Sequence, residues 1–223
     1  MPPYTLKIIQ KRNYKNLKMH FCNSSTLLIS APKHITKKEC LRFLEENRQW
    51  IDTQYHSLQE KYNINLPRNQ FFIFGEWKNF SDSHTQSLWE QSLSQDSTKH
   101  TKNQLIAYYK NMLDSYLQIR IPHFANIMNL FPNKILYGKS YKQLACCYKH
   151  TKNLRFSIRL ALMPHWVIDS IIIHELAHLR FPHHQKEFWN LISLYDKEPK
   201  KLHQWLKENH TLLYFLHHNL FKS

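Results

Sequence analysis

The sequence predicts an α+β fold with antiparallel strands at its amino terminus and long helices. In its core, a small sheet should pack on a helix of the carboxyl-terminal half that carries an H-E-x-x-H motif. Two observations favour this class. Short segments with partial apolar alternation, typical of half-buried strands, occupy residues 4–31 and 135–160. Apolar residues recur at helical spacing over residues 36–55 and 103–119. The combination indicates an α+β protein.

The length of 223 residues is enough for one large domain or two small ones. We expect an amino-terminal strand and helix subdomain over 1–80 and a core over 103–223. Residues 81–102 are poor in apolar residues and rich in Ser, Gln, Asp and Thr, so we expect a polar insertion or loop there. One continuous domain over 1–223 is the alternative.

The amino-terminal segment is predicted to contain strands over residues 4–10, 17–22 and 26–30, which suit a half-buried antiparallel sheet. One long helix should follow. Thr36 and Glu39 have the spacing of a capping box, in which each residue satisfies a backbone N–H of the other. A mostly apolar stripe continues from there along one helix face.

The middle of the chain is predicted to form a hairpin and a second long helix. Residues 70–80 are typical of a short hairpin that turns at Gly75. The helix should run over 103–119, and Pro122 should kink or interrupt it before further helix over 124–130, because proline cannot donate a helical hydrogen bond.

The carboxyl-terminal half is predicted to begin with strands over 135–137, 144–148 and 154–158. Pro164 then opens the helix that carries the motif, a favourable position for proline. A final helix should follow Pro199.

That motif is H-E-x-x-H, formed by His174, Glu175 and His178. Residues four apart lie on the same face of a helix, so both histidines can direct a ring nitrogen at one metal ion. A catalytic zinc site takes three protein ligands and keeps one position open, so one further ligand is needed.

The third ligand is expected just past the end of this helix. Pro182 should end the helix, because proline disfavours the helical conformation in the residue before it. His184 follows this break, and His183 competes with it. We prefer His184, because Phe188 and Trp189 would anchor a second helix and fix the direction of its first residue.

Glu175 is adjacent to His174 and is rotated away from the two ligand directions by about 100° per residue. It can therefore lie beside the metal without binding it. A carboxylate there can take a proton from the activated water and pass it to the leaving amine. His165 and Tyr195 are candidates for stabilising the oxyanion of the transition state, but their spacing does not decide the assignment.

These residues resemble the YgjP-like zinc metallopeptidase family, which is similar in turn to the SprT-like zinc proteases. The resemblance extends over most of the chain, and its clearest parts are Ile168-Asp169, His174 to Leu179, His184 and Phe188-Trp189. It implies a zincin-like core, Zn²⁺ held by His174, His178 and His184, Glu175 as the catalytic carboxylate, and a peptide or protein substrate.

Composition narrows the other possibilities. A chain with only two glycines cannot form a Gly-rich phosphate loop. Its four cysteines lack C-x-x-C spacing, which argues against a structural zinc cluster and against a disulfide framework. No apolar run approaches the roughly 20 residues that span a bilayer, and no signal segment is evident, so we expect a soluble, cytoplasmic protein without a membrane partner.

Lysine and arginine outnumber the acids 31 to 16, which gives a formal charge of +15. Such a chain attracts polyanions, although its basic residues form no single long run. A nucleic-acid-associated protein, either a DNA-linked protease or a binding module, is therefore the alternative to a zinc metallohydrolase. The sequence leaves the oligomeric state open.

Overall fold

The structure, a computed structural model, describes residues 4–23, 26–62, 66–67, 69–94 and 97–221. The chain divides into two compact units, Met1–Asn65 and Leu66–Ser223. Within the described residues, no helix combines the length and the apolar character needed to cross a bilayer. The domain boundaries that the sequence predicts at residues 80 and 102 stay predictions.

The first unit contains a three-stranded sheet of β1 (Thr5–Lys11), β2 (Lys18–Asn23) and β3 (Thr26–Pro32), in the order β1-β3-β2. The predicted antiparallel pairing is found between β2 and β3, whereas β1 joins β3 in parallel. β3 lies at the centre because Leu27 and Ile29 are fully buried, while β1 exposes most of its residues.

Two helices follow where one long helix was predicted. The capping box is confirmed: the Thr36 hydroxyl accepts from the Glu39 amide at 3.2 Å, and the Thr36 amide donates to the Glu39 carboxylate at 2.8 Å. It begins α1 (Lys37–Glu46), and α2 (Arg48–Tyr62) follows after a break at Asn47. The Asn47 side chain donates to the Phe43 carbonyl at 2.8 Å, and such local hydrogen bonds compete with the regular helix.

The second unit begins with the predicted hairpin, formed by β4 (Gln70–Ile73) and β5 (Glu76–Asn79). Gly75 has a φ of 82°, which favours glycine, and a Cβ atom there would lie 2.5 Å from Pro164 Cγ. The preceding residue, Phe74, donates its amide to the Ala161 carbonyl at 2.8 Å. The turn therefore packs against the segment that leads into the motif helix.

Residues 81–102 do not form the predicted loop, because they contain helix α3 (Ser83–Leu93) and the start of helix α4 (Lys99–Met128). Asp82 caps α3 by accepting from the Thr85 amide at 2.7 Å. Leu88 and Trp89 are buried, and Leu93 packs against the same core, so three apolar side chains dock a helix whose composition is otherwise polar. Helix α4 continues through Pro122 to Met128.

A second three-stranded sheet contains β6 (Ile135–Gly138), β7 (Ala145–Tyr148) and β8 (Asn153–Ser157). Their order is β6-β8-β7, so β8 is central, parallel to β6 and antiparallel to β7. These strands agree with the predicted ones to within one residue at each end. β7, an edge strand, packs against the motif helix.

The remaining helices are α5 (His165–Ala177), α6 (Lys186–Tyr195), α7 (Pro199–Glu208) and α8 (His210–Phe221). The helix predicted after Pro199 is α7, and α8 is a further helix that the sequence did not predict. Helix α5 starts directly after Pro164, as predicted, and is apolar on almost every side. Its buried side chains include Val167, Ile168, Ile171, Ile172, Ile173 and Leu176. A helix buried in this way cannot easily rotate or slide.

An ion pair holds the amino-terminal half of α5 against α4. The Arg120 guanidinium donates to both carboxylate oxygens of Asp169, at 3.0 and 2.7 Å. The Tyr116 hydroxyl donates to the same carboxylate at 2.9 Å, and its ring stacks on that of His165 with centroids 4.3 Å apart. Asp169 thus receives three hydrogen bonds from one helix.

We expect Arg120→Met to lower the free energy of unfolding by about 1–3 kcal/mol, because it leaves a largely desolvated carboxylate with fewer donors. Urea denaturation measures this change. The matched control is Arg180→Met, at an exposed position, which should change stability by less than about 0.5 kcal/mol. Equal effects of the two substitutions would contradict the role of the ion pair.

Candidate metal centre

The two motif histidines point to the same place. His174 and His178 lie one turn apart at the end of α5, and their Nε2 atoms are 3.2 Å apart. Glu175, between them in sequence, is buried. The four-residue spacing of the motif therefore produces a shared ligand direction, as helical geometry requires.

The helix ends earlier than predicted. The sequence places its end near Pro182, whereas α5 ends at Ala177 and the chain turns through Phe181. The Leu179 and Arg180 amides each bond to the carbonyl three residues earlier, at 3.0 and 3.1 Å. Such bonds tighten the last turn of a helix, and they begin the change of direction before the proline.

His184 completes the cluster. Its Nε2 atom lies 3.1 Å from that of His174, and one ring nitrogen from each of the three histidines lies within 4.8 Å of the others. His183 does not belong to this group. Helix α6 begins at Lys186, two residues later than the predicted start, so His184 projects from the turn before the helix.

Two aromatic residues of α6 hold the third histidine in place. Trp189 donates its indole N–H to the His184 carbonyl at 3.1 Å, and the two rings stack with centroids 5.8 Å apart. The Phe188 ring is fully buried and stacks on His178 at 4.6 Å. Through these contacts, Phe188 and Trp189 anchor α6 beside the histidine cluster, as the sequence predicts.

The protonation state of His178 suits metal binding. Its Nδ1 atom lies 3.0 Å from the Phe181 carbonyl oxygen, which can only accept, so Nδ1 carries the proton. In the neutral ring the lone pair is then on Nε2, which faces His174. Burial lowers the pKa of His178, and it lowers the pKa of His174 to about 3, with a further contribution from His178 and His184. Neutral imidazoles are the form that ligates metals.

The spacing of the ring nitrogens fits a bound cation. Two nitrogens held tetrahedrally by one zinc ion, each at about 2.0–2.1 Å, lie roughly 3.3 Å apart. The observed separations from His174 Nε2 are 3.2 Å to His178 Nε2 and 3.1 Å to His184 Nε2, and all three ligand nitrogens lie within 4.8 Å of one another. The donor set therefore fits a metal ion.

Glu175 is a buried carboxylate with unused hydrogen-bonding capacity. It is 7% exposed, and its Oε2 atom has no hydrogen-bond partner among the described residues. Burial raises the pKa of Glu175 to about 7, although the Cys147 backbone amide opposes this shift. That amide belongs to β7, so the edge strand lies directly beside the motif.

The two residues considered for oxyanion stabilisation lie elsewhere. His165 is at the opposite end of α5, where it stacks on Tyr116. Tyr195 donates its hydroxyl to the Ile127 carbonyl at 3.1 Å. His203, on α7, lines a cavity together with His174 and Glu175, although no sequence spacing links it to the motif.

The fold and this site together define a zincin-like metallopeptidase domain: a histidine pair and a glutamate on a buried helix, a third histidine beyond it, and a small sheet alongside. The chain belongs to the YgjP-like family, because the family model described as "YgjP-like, metallopeptidase domain" matches residues 15–209. The family resemblance and the α+β fold class are thus confirmed. No curated protein and no solved structure matches the chain significantly.

We expect His178→Ala and His184→Ala each to reduce zinc affinity by more than about 100-fold, since loss of residues that merely support ligands already costs 10–100-fold. Competition with a chromophoric chelator measures the affinity. His183→Ala is the matched control and should retain it within about twofold. Full zinc binding by His184→Ala, or its loss in His183→Ala, would show that the third ligand is misassigned.

Proposed function

We propose that this protein is a zinc-dependent peptidase in which His174, His178 and His184 hold the metal and Glu175 transfers protons. The observation that carries the proposal is the convergence of three Nε2 atoms beside a buried carboxylate. Three imidazole nitrogens are a usual donor set for catalytic zinc. Membership of a metallopeptidase family supports a peptide or protein substrate.

The proposed reaction is hydrolysis of a peptide bond. Bound zinc would supply a Lewis acid that polarises the scissile carbonyl and makes water a better nucleophile. Glu175 accepts one proton from the attacking water as the new C–O bond forms. It then delivers that proton to the amide nitrogen as the C–N bond breaks, which yields a carboxylic acid and an amine; the acid then passes its proton to the amine or to water.

The surroundings of Glu175 suit this exchange. A general base works best when its pKa lies near the operating pH, because it must both take and release the proton. Burial places the pKa of Glu175 at about 7. The Cys147 amide of β7 fixes one side of the carboxylate, whereas Oε2 has no partner among the described residues and is available for a proton.

We expect Glu175→Gln to lower kcat for peptide cleavage by about 10²- to 10⁴-fold, because the amide cannot accept a proton. Zinc content and melting temperature should be retained, since the substitution preserves the side-chain shape and removes a buried ionisable group. Cleavage of a fluorogenic peptide library, zinc analysis and thermal unfolding measure the three quantities.

Glu187→Gln, at an exposed position on α6, is the control and should behave as the unmodified protein. If Glu175→Gln keeps full activity, Glu175 is not the proton carrier. If the unmodified, zinc-loaded protein cleaves no member of the library, the peptidase proposal fails, whatever the metal content.

Nucleic-acid association is the second candidate, and the formal charge of +15 favours it. Contacts with phosphates release counterions, so affinity for DNA should fall steeply as salt increases. Salt-insensitive or undetectable binding would remove this candidate without affecting the zinc site. The cytoplasmic location also stays a proposal.

A further inference from the structure

Two cavities of different character meet at the histidine cluster, and His174 and Glu175 line both. The first, of about 360 Å³, extends toward β7 and the turn, where Lys149 and Cys146 contribute polar groups. The second, of about 320 Å³, extends toward α6 and α7. A substrate at the metal would therefore have different surroundings on its two sides.

The second cavity, which we call the α7 cavity, exposes mostly apolar surface, although Lys142, Asp196 and His203 also line it. Leu144 precedes β7, Ile171 comes from α5, Ile192 from α6, and Leu202 and Leu206 from successive turns of α7. Ile171 and Ile192 are buried, whereas the three leucines are only half-buried. The leucines thus keep apolar surface in contact with water, and a bound apolar group would remove it from water.

We propose that the α7 cavity accepts an apolar side chain, of the size of leucine or phenylalanine, from a substrate residue that flanks the scissile bond. This inference rests on the proposed peptidase function and names its substrate preference. The occupant follows from continuity with the site: Glu175 and His174 form one wall, so a side chain close to the reacting carbonyl reaches the cavity. A volume of about 320 Å³ is at the lower end for a ligand pocket and suits one side chain.

The size of the preference follows from the hydrophobic effect. Full burial of a leucine side chain corresponds to a factor of roughly ten to one hundred in binding. A charged side chain in the same place would lose its hydration against the apolar walls. Asp196 would repel an aspartate there, whereas Lys142 and His203 offer it polar partners. The cavity should therefore discriminate in favour of leucine and phenylalanine against both alanine and aspartate.

The test uses the full-length, zinc-loaded protein and peptides that differ at one position, where leucine, phenylalanine, alanine or aspartate is placed. Mass spectrometry locates the cleaved bond, and kcat/KM is measured for each peptide. We expect the leucine and phenylalanine peptides to be cleaved at least tenfold better than the others when that position flanks the bond. Equilibrium binding of the same peptides to Glu175→Gln provides a readout that does not depend on turnover.

Leu202→Phe and Leu206→Phe each place a larger side chain on the α7 wall of the cavity and so reduce its volume. Two variants are used so that the test remains possible if one of them misfolds. The ratio of kcat/KM for the phenylalanine peptide to that for the alanine peptide should fall at least fivefold in each. Leu194→Phe is the matched control, because Leu194 is 71% exposed on α6 and does not line the cavity. Its ratio should equal that of the unmodified protein.

The outcomes separate the two proposals. Cleavage without an apolar preference, or a preference that both narrowing variants leave unchanged, overturns the cavity assignment while the peptidase function stands. Selective binding of apolar peptides that the narrowing variants weaken, without any cleavage by the unmodified protein, supports the cavity and overturns the peptidase function. Neither binding nor cleavage overturns both.

Discussion

The burial of helix α5 is the constraint on which the site depends. Its apolar side chains pack on nearly every side, and His174, Glu175 and His178 line the cavity of about 360 Å³ near its carboxyl-terminal end. The Arg120–Asp169 ion pair fixes one end, and the hydrogen bond from His178 to the Phe181 carbonyl fixes the other. Because the helix can neither rotate nor slide, the two ligand directions are set before any metal binds.

The third histidine is held by different means. His184 is exposed and comes from a turn, so core packing does not orient it. The indole of Trp189 compensates, because it bonds to the His184 backbone and stacks on its ring. His174 and His178 are held rigidly by α5, whereas the position of His184 depends on a few contacts with α6. The geometry of the metal centre therefore depends on how α6 packs. The second three-stranded sheet contributes through its edge strand β7, which places the Cys147 backbone amide beside Glu175.

Local patterns in the sequence were sufficient for what depends on local geometry. The capping box at Thr36, the turn at Gly75 and the four-residue histidine spacing involve neighbours within one turn or one helix. The errors arose where contacts between residues far apart in the sequence decide the structure. The polar segment that contains Trp89 forms a helix because Trp89 packs into the core. Strand β1 pairs in parallel because β3 lies between β1 and β2 in the sheet. The α7 cavity combines four separate elements, so no periodicity in the sequence could indicate it.

The electrostatics of the site connect metal binding with stability. Three histidine rings direct nitrogens at one point, and a carboxylate is buried beside them with one oxygen lacking a partner in the described part of the chain. Burial of that carboxylate costs free energy in the folded protein. A cation bound to the folded state alone offsets that cost and stabilises the fold by mass action. The ligands therefore serve structure and chemistry together, whereas Glu175, which need not bind the metal, is the residue at which the two roles can be separated.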